Sequence, residues 1–287
     1  MSADLRGRVA LVTGGNGGLG QATAIALASM GAHVVIACRD PARGAAAGEE
    51  IRARSGRDAV DVVPLDLARF DSVRACAGTV TDAYGALDVL VNNAGLVLRN
   101  RQETVDGFEA TFQINHLSPF LLTGLLRDPL VAAGSARVVN VASVAHRSAR
   151  RGLDFTDLQS TRRYRPYRAY ARSKLANVLF TRELARRWAG LGVTVNAVNP
   201  GWVGSRFGLD GDLGPIASAL VGLGRPFARS PRKGARTQVH LASAPEVDGM
   251  TGGYWANAAP GTPSRAARDD AAAARLWEIS EALVGAP

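Results

Sequence analysis

The chain has 287 residues, 47% of them hydrophobic and 21% charged, a composition that excludes a disordered protein and suits one large α/β domain with a sizeable core. No apolar run approaches the roughly 20 residues that cross a bilayer, so a membrane span is not expected. The formal charge of +9 comes mainly from Arg scattered over an Ala- and Gly-rich chain without a groove-reading motif, which argues against nucleic acid as a partner.

The N-terminal residues lead straight into an apolar stretch, RVALVT at 8–13, with no signal-peptide pattern, and the expected location is therefore cytoplasmic. A glycine turn, TGGNGGLG, follows and opens a helix, QATAIALASMG. Gly14, Gly18 and Gly20 fit a turn in which one glycine permits the bend and another lets backbone approach a pyrophosphate at the helix N-terminus. The third lets helix and strand touch. In this place the turn predicts dinucleotide binding.

The second apolar run, HVVIA at 33–37, is followed by CRD. No acid stands at its tip, while Arg39, with Arg43 nearby, can offer a planar fork to a 2′-phosphate; NADP is expected over NAD. The alternative is a solvated Arg39, with Asp40 taking the ribose or capping the helix that begins at Pro41.

Further apolar runs stand at 60–65, 87–92, 136–143, 193–200 and 252–255, separated mostly by helix-sized segments. This rhythm predicts a parallel sheet of about seven strands with crossover helices. Near-continuous Val, Ile and Leu says that both faces are covered, as in a doubly wound α/β fold in a single domain spanning residues 1–287. Two segments interrupt it, about 146–168 and about 204–233, both after strand ends, where open α/β sheets bind ligands. Cys38 and Cys76 lack metal-ligand spacing and read as small buried hydrophobes; no metal is expected.

The stretch RAYARSKLANVLF at 168–180 reads as a helix that stacks Tyr170 one turn ahead of Lys174. Either the phenol packs on a Lys stem, or the ammonium lowers a phenol pKa of about 10 and makes a usable proton donor.

The glycine turn, Asp66-Leu67, NNAG at 92–95, INHLSPFLLT around Asn115, NVASVAH around Ser143, Tyr170 with Lys174, and NPGWV at 199–203 stand in one order. In that order the chain resembles the short-chain dehydrogenase/reductase family over nearly its whole length. It is similar in particular to the retinol-dehydrogenase-like branch, through ACRD, SKLANVLFTRELA and LWEISEAL.

The resemblance implies a Rossmann fold and an NADP(H)-dependent oxidoreductase that interconverts a carbonyl and an alcohol on a hydrophobic small molecule. It implies that Ser143 holds the substrate oxygen and Tyr170 protonates it. Lys174 would tune Tyr170 and bind the nicotinamide ribose, and Asn115 would help to hold a water behind Lys174. It assigns Asn16 and Leu19 of the glycine turn to the cofactor, Asp66 and Leu67 to the adenine, Asn93, Ala94 and Gly95 to the adenosine ribose, and Pro200, Gly201 and Val203 to the nicotinamide. Ser205 stands where a Thr is usual. His146 reads as a hydrogen-bonded structural residue rather than one aimed at substrate. A non-catalytic dinucleotide sensor, or an isomerase or dehydratase using the same Tyr, remains the alternative. The Arg-rich segment from Arg147 to Arg172, opposed only by Asp154 and Asp157, leaves open a carrier-bound substrate, and a homo-oligomer is also left open.

Overall fold

The computed structural model describes residues 4–201 and 229–285. In chain order they form β1 (Val9–Thr13), α1 (Gly18–Ser29), β2 (His33–Cys38), α2 (Pro41–Ser55), β3 (Val60–Pro64), α3 (Phe70–Tyr84) and β4 (Val89–Asn92). A helical run follows: α4 (Ala110–Phe112), a π-turn (Gln113–Leu117), α5 (Ser118–Leu125) and α6 (Arg127–Ala132). Then come β5 (Ala136–Val141), a 3-10 turn (Val144–Ser148), α7 (Pro166–Arg187), β6 (Val193–Asn199), α8 (Pro231–Ser243), β7 (Tyr254–Ala256), β8 (Ala259–Gly261) and α9 (Asp270–Val284).

The strands form one sheet in the order β3-β2-β1-β4-β5-β6-β7-β8, in a single α/β domain. Alternate residues feed two cores. Leu11, Leu90, Val138 and Val195 face α3, α5, α7 and α9, where Leu121, Leu175, Leu179 and Leu276 are buried. Ala10, Val12, Val34, Val91 and Val139 face α1, α2 and α8, with Leu27, Ile51 and Leu241. Two covered faces explain why the strands read as continuous apolar runs.

The expected parallel sheet of about seven strands is present, with one strand more at its edge. The first seven are parallel, but an eighth, β8, pairs antiparallel with β7. The hairpin turns on Asn257 and Ala258, whose φ angles of 56° and 58° are those of a type I′ turn. The sequence APG gives no strand signal because its Pro lacks a donor, yet an edge strand tolerates that.

The crossovers leave β1 towards β2 on one side and towards β4 on the other, so the crevice opens at the C-terminal ends of β1 and β4. Caps fix the entry of α2 and α9. Asp40 Oδ1 accepts from the Arg43 amide at 3.1 Å and Asp269 Oδ1 from the Ala272 amide at 3.0 Å. No described helix is long and apolar enough to cross a membrane. Of the second interrupting segment, residues 204–228 lie outside the described ones and Pro231 already begins α8.

Candidate active site

The glycine turn is locked from beneath by the end of β4. Thr13 Oγ1 accepts from the amides of Asn93 and Ala94, both at 3.0 Å, and Asn93 Nδ2 donates to the Thr13 carbonyl at 2.8 Å. Gly14 sits at φ +65°. At Gly20 a Cβ would collide with the Gly14 carbonyl and come within 2.5 Å of Asn93 Nδ2, so no side chain fits there. Gln238 of α8 donates to Asn93 Oδ1 at 3.4 Å and accepts from Thr23 at 2.7 Å, tying the turn's helix to the same knot. Thr13 and Gln238 were missed by sequence reasoning; a polar residue closing an apolar strand was the available signal for Thr13.

Above this knot lies a cleft of about 360 Å³. Of the residues expected at a cofactor, Gly14, Asn16, Arg39, Asp66, Leu67, Ala94 and Gly95 line it, together with Arg43 and Cys38. Gly18, Leu19, Gly20 and Asn93 shape the turn without lining the cleft. Neither Arg39 nor Arg43 forms an ion pair among the described residues. Asp40 lines the cleft too, but its carboxylate caps α2. Asp66 Oδ1 accepts from the Ala68 amide at 3.0 Å. A backbone that approaches without side chains at Gly14 and Gly95, and two guanidiniums without ion pairs among the described residues, fit a dinucleotide.

The proposed chemistry gathers on α7 and the end of β5. Lys174 is buried, and its Nζ donates to the Val141 carbonyl at 2.8 Å. It stands 5.7 Å from the centroid of the Tyr170 ring. Ser143 caps the 3-10 turn, accepting from the Ala145 amide at 3.1 Å, and lies near enough to the Tyr170 phenol to favour its ionised form. Burial brings Lys174 down to about 8. The same cause pushes half-buried Tyr170 up to about 12, with the Ser143 hydroxyl pulling the other way. The lowered phenol expected from the i, i+4 stack is therefore absent in the cofactor-free protein. The ammonium is aimed at a carbonyl, and burial sets the direction of the phenol's shift.

Asn115 lies in the π-turn, an arrangement frequent at functional sites. Its Oδ1 accepts from the Leu96 amide at 2.8 Å, and its Nδ2 donates to the Leu96 carbonyl and to Ser173 Oγ, each at 2.9 Å. At the end of β6, Asn199 Oδ1 accepts from the amides of Val144 at 3.2 Å and Gly201 at 3.1 Å, joining the Ser143 turn to Pro200 and Gly201. Val203 and Ser205 lie outside the described residues.

Both nitrogens of His146 are used, on the Ser143 carbonyl at 2.7 Å and the Ser264 amide at 3.0 Å, as its structural reading requires. Cys38 and Cys76 are free and buried. In the Arg-rich segment, Arg162 pairs with Asp154 at 2.9 Å and with Asp157 at 3.4 Å, and Arg172 reaches Asp154 at 3.7 Å. Among the described residues no cluster of His, Cys, Asp and Glu could hold a metal.

Comparison with known proteins agrees with this geometry. The profile of the short chain dehydrogenase family matches residues 8–155. The chain is a short-chain dehydrogenase. It is 43% identical to human retinol dehydrogenase 12 over 284 residues, 99% of this chain and 88% of that protein. The crystal structure of a Mycobacterium paratuberculosis protein superposes with a TM-score of 0.79 at 34% identity, covering 99% of this chain and 96% of that one. The RhlG/NADP active-site complex of Pseudomonas aeruginosa gives 0.70 at 31% identity, covering 88% and 95%. As a short-chain dehydrogenase with retinol dehydrogenases among its relatives, this chain is an oxidoreductase of the alcohol/carbonyl type with a nicotinamide-dinucleotide fold.

Proposed function

We propose that this short-chain dehydrogenase is an NADP(H)-dependent reductase of hydrophobic aldehydes and ketones, working through Ser143, Tyr170, Lys174 and Asn115. The observation that carries the reading is buried Lys174, held on the Val141 carbonyl two residues before Ser143, with its ammonium 5.7 Å from the centroid of the Tyr170 ring. When bound, the dinucleotide supplies the hydride that the carbonyl carbon accepts. Arg39 and Arg43 would hold its 2′-phosphate, and Gly14 and Asn16 its pyrophosphate.

A carbonyl oxygen placed between Ser143 Oγ and Tyr170 Oη receives a hydrogen bond from the serine and the proton from the phenol. Tyr170 is protonated at neutral pH, so the donor is loaded before the carbonyl arrives. Lys174, beside it, stabilises the phenolate left after transfer, and Asn115 holds the Leu96 loop against α7 so that this pair keeps its place.

Two exposed apolar side chains adjoin these hydroxyls in sequence: Val144 follows Ser143, and Tyr167 stands three residues before Tyr170. Together with relatives named for retinol, a bulky apolar alcohol, they support a hydrophobic substrate. The test is NADPH oxidation with decanal and with all-trans-retinal, with the alcohol product quantified. Stoichiometric alcohol formation is expected with at least one of them. Failure to turn over either, with NADPH bound, would leave the sensor reading in its place.

A further inference from the structure

The residue after Asn115 in the π-turn is not absorbed by this chemistry. His116 is fully buried, with Phe112, Phe120 and Phe180 around its ring at centroid distances of 5.2, 6.2 and 6.0 Å. Its Nε2 lies 2.9 Å from Ser280 Oγ on α9. Ser280 spends its only proton on the Leu276 carbonyl at 2.7 Å, so towards His116 it accepts, and the ring proton is on Nε2. Nδ1 is then a buried acceptor without a hydrogen-bond partner among the described residues. Burial holds the ring neutral, its pKa brought down to about 3, so it does not switch near neutral pH.

A phenyl ring would fill this aromatic pocket without an orphaned nitrogen, which costs stability. What the imidazole adds is one directional bond between α9 and the π-turn, and a lone buried polar contact of that kind specifies register. The π-turn carries one residue more than an α-turn, with Ser118 donating to Gln113, and its neighbouring side chains serve separate partners: Asn115 serves Leu96 and Ser173, His116 serves Ser280. Clearance on the Asn115 side is small. A Cβ on Gly95 would stand 3.0 Å from Asn115 Oδ1 and 3.3 Å from Lys174 Nζ.

We propose that His116 and Ser280 are positioning residues: through their hydrogen bond the C-terminal helix α9 holds the π-turn in the register that seats Asn115 on Leu96 and Ser173, and so fixes the surroundings of Lys174. The proposal rests on the catalytic reading given above.

The decisive measurement is hydrogen exchange at the Leu96 amide, whose acceptor is Asn115, in wild type, Ser280→Ala and His116→Gln, alongside decanal and retinal kinetics, NADPH affinity and Tm. In Ser280→Ala the Leu96 amide exchanges about tenfold faster while core strand amides do not change. Its kcat falls about fivefold or more, with KM and NADPH affinity kept. His116→Gln, which retains a donor near Nε2, restores both readouts towards wild type. Leu96 exchange and kcat unchanged in Ser280→Ala would make the pair a core contact and overturn the proposal, as would parallel acceleration of all amides. A wild type inactive on both aldehydes overturns the catalytic reading and the positioning proposal with it, whereas an active wild type with an unaffected Ser280→Ala overturns the positioning proposal alone.

Discussion

At the scale of single residues, the decisive contrasts are between side chains that have partners and side chains that face the cleft without one. Arg39 lines the cleft with no carboxylate partner among the described residues, whereas its neighbour Asp40 is committed to the cap of α2. In Arg39→Ala the KM for NADPH should rise with NADH kinetics nearly unchanged, by the about 1.5–3 kcal/mol of a charge-assisted hydrogen bond. Equal losses with both cofactors would reject the phosphate assignment. Tyr170→Phe keeps the ring and removes the proton donor. It should nearly abolish turnover while NADPH still binds, and substantial carbonyl reduction by this variant would refute the mechanism. Motif residues such as Ser143, Tyr170 and Lys174 were legible because their types and order are specific. The direction of the Tyr170 shift was not, because a sequence shows that an ammonium is one turn away but not that it points at the Val141 carbonyl.

At the scale of elements, strands and most helices were legible from apolar runs and caps, and the illegible parts share one physical cause: they depend on tertiary partners. The hairpin strand β8 has no strand propensity of its own and exists because β7 offers an edge. The π-turn cannot be told from a regular helix by periodicity over so few residues, although it decides where Asn115 and His116 point. The glycine turn is the opposite case, dictated locally by missing side chains. Gly20→Ala should therefore cost more than a helix propensity term, since the new methyl meets the Gly14 carbonyl and Asn93 Nδ2. Weaker dinucleotide binding by calorimetry, together with a lowered Tm, is the expected outcome. Wild-type affinity in this variant would mean that the turn opens easily.

For the whole molecule the net charge is +9, and one of its positive charges, Lys174, is buried. Burial lowers Lys174 from 10.5 to about 8 in the folded protein, where its one hydrogen bond among the described residues goes to a carbonyl, not to a carboxylate. Between about pH 8 and pH 10.5 the unfolded chain thus binds a proton at Lys174 that the folded chain has released, and this group's contribution rises with pH there, opposed from about pH 9 by the buried Cys76 thiol, which is pushed up to about 12. Below that window the full cost of burying the ammonium is present in the cofactor-free protein. Tyr170 acts at higher pH and in the opposite sense: its phenol is held at about 12 when folded against 10 unfolded, so stability falls again above pH 10. The gain attributable to Lys174 is at most about 1.4 kcal/mol per pH unit within its window. Urea unfolding of cofactor-free protein at intervals from pH 7.5 to 9 should show this rise in wild type. The rise should be absent in Lys174→Met, which keeps the buried stem without the charge. If both proteins follow the same curve, the ammonium is better solvated than its burial implies.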